Sequence, residues 1–532
     1  MRYLISFLFV LTSAISFAQK EYHVFPVDCE TTKGTPNGNG SVSNPWDLQT
    51  ALSQSSERVN GGDIIWIHKG IYTGHYKSVL QSTKTNKYVT VSAYKNDKVI
   101  LNGNLGRKMN YVLEVNGANV IYKNFEITYL GEFSRKKGDS NFKAAVGINH
   151  RKGEDCKFQN LIVHNIPGSG IGSWKATGGS EIEDCIIYNN GYQGARGHGA
   201  GLYIQNQSEK TRLIKNNIIY NNYYKGIEVW SASSGSNFEF VKNITLSNNI
   251  IFNNGAPGGK HVDNIIIASN DKDGINVAKR IKLLGNVLYH NVDFSNNKNY
   301  GYGASLTLGF NSKSPVEDIS ILNNVIIGKN NAFNISHAKS IEFHNNIVYA
   351  GYIHLNTSVL KAFEAKTIAL NNNKYYTRKH TGFRFNKHRD YNFKDWQNRF
   401  SIDKNSHHGY LRDFEIKPVL KVQQLETSSN DFNIALLEKN GNNVTVDFSD
   451  YGIEDGMSFK IYNIENREEV IKYGKVSSDL KVEFPMGLKS FEKPLHNVVA
   501  TKSADNFGVY RIEFSNKKKR KGFIGRLFGW LF

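Results

Sequence analysis

Arg151, Trp174, Lys175, Arg196, His198, Tyr203, Gln205, Glu228 and Trp230 crowd into one short stretch near the middle of the chain. They combine guanidinium and ammonium cations with indole and phenol rings, one imidazole and one carboxylate. Exposed aromatic rings stack on the flat faces of sugars, and Arg forks onto carboxylate or sulfate. An imidazole titrates near neutrality and can take a proton that a phenol can replace. Brought together, these groups would hold an acidic sugar polymer and move a proton on it. His198, Tyr203, Arg196 and Glu228 are therefore the candidate catalytic residues. Arg151, Trp174, Lys175, Gln205 and Trp230 are the candidate substrate-binding residues.

Two reactions compete. Hydrolysis needs two carboxyl groups roughly 5 to 9.5 Å apart across the scissile bond. Glu228 is one; Glu181, Glu183 and Asp184 lie near a turn, Asp263, Asp271 and Asp273 lie farther along, and no pair is visible from the spacing. Elimination removes the proton beside a uronate carboxyl while a cation neutralises that carboxyl. Arg151, Arg196 and Lys175 can neutralise, His198 can act as base, and Tyr203 can protonate the leaving oxygen, so the inventory favours elimination. A surface that binds glycan without cleaving it is the non-enzymatic alternative, and it predicts no dependence on His198 or Tyr203. The net charge of +19 suits an acidic polymer. Nucleic acid is disfavoured by the export signal described below, and no P-loop, nucleotide fingerprint, zinc spacing or GxSxG elbow occurs.

The elements that would place these side chains repeat. The segments 123–131, 159–165, 184–190, 216–222, 248–254, 285–291, 323–330, 345–351 and 371–376 each join a short β-branched run to an Asn-rich bend. Aligned, they bring Asn124, Asn160, Cys185, Asn217, Asn249, Asn286, Asn324, Asn346 and Asn373 into one column. A run this short cannot bury its apolar side alone, but coils stacked about 4.8 Å apart can. Asn suits the bends because it tolerates left-handed backbone and its amide can bond the next Asn in the stack. A second column runs through 147–151, 170–174, 201–205, 226–230, 303–307 and 332–336. Strand alternation turns its third and fifth residues outward, giving the rows Asn149, Gly172, Tyr203, Glu228 and Arg151, Trp174, Gln205, Trp230. The glycines of 191–201 leave Arg196 and His198 exposed and let backbone approach a ligand closely.

Over roughly residues 22–415 the sequence resembles the right-handed parallel β-helix proteins of the pectate-lyase-like superfamily. The resemblance implies an all-β solenoid, with the amphipathic stretch 44–52 as N-terminal capping helix and 62–74 as opening strand and turn. The segment 196–206 is similar to one found in bacterial β-helix proteins of polysaccharide-degradation systems. Lyases of this superfamily often use calcium, but no clear Asp cluster is present to hold it, and no other cofactor is implied.

The ends differ from the repeat. Residues 1–18 have the basic, apolar and small-residue parts of a secretory signal, which implies a periplasmic, cell-surface or extracellular protein. The expected organisation is then cap and first coils over 19–105 and β-helix over 106–415, with the candidate face at 145–235. A small antiparallel, β-sandwich-like domain at 416–516 has covering the last coil as its favoured role. A basic, aromatic tail at 517–532 suits peripheral contact with anionic lipid. Cys29, Cys156 and Cys185 read as buried free thiols, and a monomer is expected.

Overall fold

The computed structural model describes residues 19–106, 110–194, 198–294, 301–496 and 500–515. The expected signal at 1–18, the tail at 517–532 and Arg196 lie outside them. Three twelve-stranded sheets run the length of the molecule, each strand pairing with its equivalent one coil later. All of these ladders are parallel except the last strand of one sheet, Arg389–Tyr391, which turns back on Phe383–Asn386. The interior is a continuous column of Ile, Leu, Val, Phe and Tyr. The result is a right-handed parallel β-helix with a small antiparallel domain beside it.

The corners explain the asparagines. Within each Asn-Asn pair, the first residue adopts left-handed backbone, as at Asn216, Asn248, Asn323, Asn345 and Asn372 with φ between 55° and 63°. The second turns inward and is buried. Asn217 donates its side-chain amide to Asn249 Oδ1 at 3.0 Å, and its backbone N–H reaches the same oxygen at 3.0 Å. Asn249 repeats this on Asn286, and the chain continues through Asn324 and Asn346 to Asn373. It ends on the buried carboxylate of Asp403, which accepts from Asn373 at 3.1 Å. A second ladder, Asn190 to Asn222 to Asn254 to Asn264, stitches the other corner.

The pairing corrects the aligned column at its start. Ile162 pairs with Glu126 and with Ile186, so Phe125, Leu161 and Cys185 precede Asn217 in the buried position. Asn124 and Asn160 stand one residue earlier, at the left-handed corner. Asn occurs at both places, and a slip of one is invisible where Asn is not doubled.

The two ends of the solenoid are closed differently. Leu48–Leu52 is the expected capping helix, started by Asp47, whose carboxylate accepts from the Thr50 N–H at 2.8 Å, and it buries Leu48, Ala51 and Leu52. The opening strand is Glu21–Val24, which pairs onto Ile64–Ile67. At the far end the helix Phe393–Phe400 lays Trp396 and Phe400 over the last coils. Closure by that helix leaves the antiparallel domain free for another task. It lies along the flank of the sheet that contains the strands Ile186–Tyr188, Ile218–Tyr220 and Ile250–Phe252, where the stacked rings of Tyr188, Tyr220 and Phe252 are about 5 Å apart and nearly parallel. Phe507 stacks on Tyr289, and the hydroxyls of Tyr188, Tyr220 and Tyr289 bond Glu492, Ile464 and Asn506 of that domain. Cys156 and Cys185 are buried free thiols, whereas Cys29 is half-buried and free.

Removing one rung of the ladder orphans its neighbours on both sides. Asn249→Ala strips the Asn217 amide and backbone N–H of their acceptor, takes the side-chain donor from the Ile214 carbonyl and leaves Asn286 Oδ1 only the backbone N–H of residue 249. The expected loss is about 3 kcal/mol, read from urea unfolding. A loss below about 0.5 kcal/mol, the scale of a surface change, would show that these amides are solvated.

Candidate functional site

The second sheet carries the candidate residues on its outer face. Its ladders place Asn149, Gly172, Tyr203 and Glu228 side by side, as the spacing predicts, and continue to Ile266, Thr307, Asn334, His354 and Arg384. The strand Ile265–Ser269, absent from the aligned column, supplies Ile266. Leu306 rather than Ala304 takes the buried register position, so the segment 303–307 is displaced by two residues from its expected placement.

A bulge shapes the second row. His150 pairs with Ser173 and Lys152 with Ala176, so Arg151 faces both Trp174 and Lys175. The extra residue breaks alternation and turns both Trp174 and Lys175 to solvent. Their backbone is held from inside. Arg212, fully buried, donates to the Ser173 hydroxyl at 2.8 Å, to the Gln205 carbonyl at 2.8 Å and to the Thr177 hydroxyl at 3.0 Å. His150 completes this cluster through the Ser173 hydroxyl at 2.9 Å. Burial lowers the Arg212 guanidinium to about 9 and, with the Arg212 charge adding to it, the His150 imidazole to about 3.

Above this base lies an open groove of about 770 Å³, walled by Arg151, Trp174, Lys175, Tyr203, Gln205 and the loop 231–240. Trp174 is 39% exposed, donates its indole N–H to Asn149 at 2.8 Å and leans on the Tyr203 ring at 5.2 Å. Lys175 Nζ lies 4.6 Å and 4.9 Å from the rings of Phe238 and Phe240 in the facing loop. Gln205 bridges the Tyr203 hydroxyl and the Trp230 carbonyl, each at 3.1 Å. Burial raises the Tyr203 phenol to about 12, with Glu228 adding to the shift and the Ala232 and Gln205 amides opposing it. The loop 231–240 was not among the expected site residues. Its signal was a Ser/Gly run ending in two phenylalanines, a composition that also fits an ordinary connection.

The other expected residues stand apart. Glu228 occupies its expected ladder place but is 2% exposed and is not part of the groove wall. Its Oε1 lies 3.8 Å from Lys225 Nζ, which also reaches Asp263 at 3.4 Å, while Oε2 accepts no hydrogen bond from the described residues. Trp230 turns toward Phe310, ring centroids 5.0 Å apart, outside the groove lining. His198 is exposed and precedes the strand Leu202–Ile204, so it too lies outside the lining. Among the described residues no three His, Cys, Asp or Glu side chains converge as a calcium site requires. Asp271 instead caps its own loop, accepting from the backbone of Asp273 and Gly274.

Burial lifts the Glu228 carboxyl from 4.5 to about 7, Lys225 opposing and Asp263 adding. Between those values the folded chain keeps a proton that the unfolded chain has released, so stability falls as pH rises through that window. Glu228→Gln removes this slope. The variant is expected to gain melting temperature over the parent progressively from pH about 4.5 to about 7 and to hold the gain above. A difference independent of pH would show that Glu228 titrates as it does in water.

Residues 69–244 match the family model described as right handed beta helix region. No curated protein is similar in sequence. Similar solved structures include pectate lyase Pel9A, 15% identical, covering 69% of this chain and 79% of that one with a TM-score of 0.40. The complex of XylC with xylose is 12% identical over 92% of this chain and 100% of that one, TM-score 0.45. A tailspike protein, gp49 from Acinetobacter baumannii bacteriophage Fri1, a capsular polysaccharide depolymerase, is 10% identical over 94% and 87%, TM-score 0.41. The matched repeat and the three parallel sheets make the fold of this chain a right-handed parallel β-helix.

Proposed function

We propose that the groove binds an acidic polysaccharide outside the cell and cleaves it by β-elimination. The observation that carries this reading is the makeup of the wall. Arg151 supplies positive charge, Lys175 an amine, Trp174, Tyr203 and Phe238 supply flat rings, and no carboxylate is among the lining residues. A cationic, aromatic trough attracts a uronate and orients its ring. Arg151 neutralises the uronate carboxyl, which acidifies the neighbouring C–H.

The base follows by elimination among the lining side chains. Arg keeps its proton, and the Tyr203 phenol is held protonated, which leaves the Lys175 amine to take the hydrogen from carbon. As that C–H bond breaks, a carbon–carbon double bond forms, the glycosidic oxygen departs, and Tyr203 gives it a proton. Solvent then reprotonates the phenolate and takes the hydrogen from Lys175, restoring its free amine. Hydrolysis is less well supported, because no pair of carboxyls lines the groove and Glu228 is buried beside Lys225.

Purified protein incubated with a panel of acidic glycans is expected to produce new absorbance near roughly 235 nm from the unsaturated uronate. Lys175→Gln and Tyr203→Phe should each lower the rate at least about 100-fold with the fold intact, and His198→Ala should leave it nearly unchanged. Reducing ends without absorbance would assign hydrolysis, and neither product would leave a binding surface.

A further inference from the structure

A strongly basic hairpin stands at the far end of the same sheet. Residues 378–390 hold Arg378, Lys379, Arg384, Lys387 and Arg389, two histidines, and a single acid, Asp390. Phe383–Asn386 and Arg389–Tyr391 form its two strands. Asp390 is taken by Arg384, which forks onto it at 2.9 Å and 2.7 Å. The Arg384 guanidinium lies 3.8 Å over the Tyr352 ring, and Arg378 donates to the Tyr352 hydroxyl at 3.2 Å. Burial alone would raise the Tyr352 phenol, yet Arg378, Arg384 and Lys379 together hold it below its ordinary value. Lys379, His380, Lys387, His388 and Arg389 are exposed, and Lys379 and Lys387 have no acidic partner among the described residues. Arg389 reaches Asp395 at 3.9 Å, so two acids face five cations and do not neutralise the cluster.

Its position links it to the groove. Arg384 is in the same outward row as Tyr203, six ladder steps along the axis, or about 29 Å at about 4.8 Å per step. The intervening row, Glu228, Ile266, Thr307, Asn334 and His354, carries one carboxyl, and Lys225 answers it. Asp263 reaches Thr307 from the side and is answered by the same lysine. A polyanion lying along the axis therefore meets cations at both ends, and between them two carboxyls that share Lys225.

We infer that the 378–390 hairpin is a second, remote contact for an acidic polysaccharide whose chain runs along the helix axis from the groove. The inference rests on the reading of the groove as an acidic-glycan site, and it adds a direction and a minimum length to the ligand. Short oligosaccharides fill the groove alone, whereas long chains engage both places, so the hairpin raises affinity with chain length. The contact is electrostatic and weakens as salt rises.

Affinity electrophoresis through gels containing alginate, polygalacturonate or heparin, with dextran as neutral control, tests this. Lys379→Gln/Lys387→Gln/Arg389→Gln is expected to bind at least one acidic polymer about tenfold more weakly at low salt. Tetrasaccharides of the same polymer should bind as before, and Lys379→Arg/Lys387→Arg should keep full affinity. Unchanged binding of every acidic polymer by the Gln variant would overturn the proposal. So would wild-type protein that none of the three retards, or equal weakening on duplex DNA, which would mark a general polyanion surface. Trp174→Ala, run alongside, separates the two readings. If it alone loses binding, the groove stands and the hairpin falls; if the hairpin variant alone loses binding, the reverse holds.

Discussion

The structure depends on one repeated contact: a buried amide whose oxygen accepts both the side chain and the backbone N–H of the residue one coil below. Each rung satisfies a polar group that burial would otherwise make costly, and it does so only if the next coil supplies an Asn at the same place. Register along the whole solenoid is set this way. Strands of three to seven residues have little independent preference for one pairing over its neighbours. The ladder removes that freedom at two of the corners. Chain length is free to vary elsewhere, and the extra residues gather in loops such as 231–240, which becomes a wall of the groove.

The groove departs from the regular coil in two ways, and each has a support beneath it. The bulge opposite Arg151 breaks strand alternation, which a uniform sheet would not tolerate without compensation. Arg212 supplies the compensation from within, bonding the groups that the irregular backbone leaves over. A guanidinium with no carboxylate beside it is rare in an apolar interior, and carbonyl and hydroxyl acceptors on its two terminal nitrogens offset part of the cost, while Nε has no partner among the described residues. Irregularity outside and a buried cation inside are thus parts of one construction.

Much of this was legible in the sequence, for physical reasons. Doubled asparagines have few uses outside a stacked corner, so the coil and the shared row of Asn149, Gly172, Tyr203 and Glu228 could be read from spacing. Where the doubling fails, at Asn124 and Asn160, the reading slips by one residue. The strand Ile265–Ser269 was missed because it reads IIIAS, an apolar run with no polar alternation to mark a face. Trp174 and Lys175 could be placed on the face, but their joint exposure could not, because a bulge depends on which residues oppose them. Glu228 was expected to be open to solvent. It is buried beside Lys225, three residues earlier in the same coil, and single-strand alternation carries no information about that contact.

The flanking domain has a further consequence for the shape of the molecule. A triangular prism offers three long sides, and one of them, tiled with tyrosine and phenylalanine, is occupied by the chain's own later residues. Those rings resemble the surface on which a flat sugar would settle, yet the domain shuts them away. The domain thereby closes off an aromatic trough of the chain's own making.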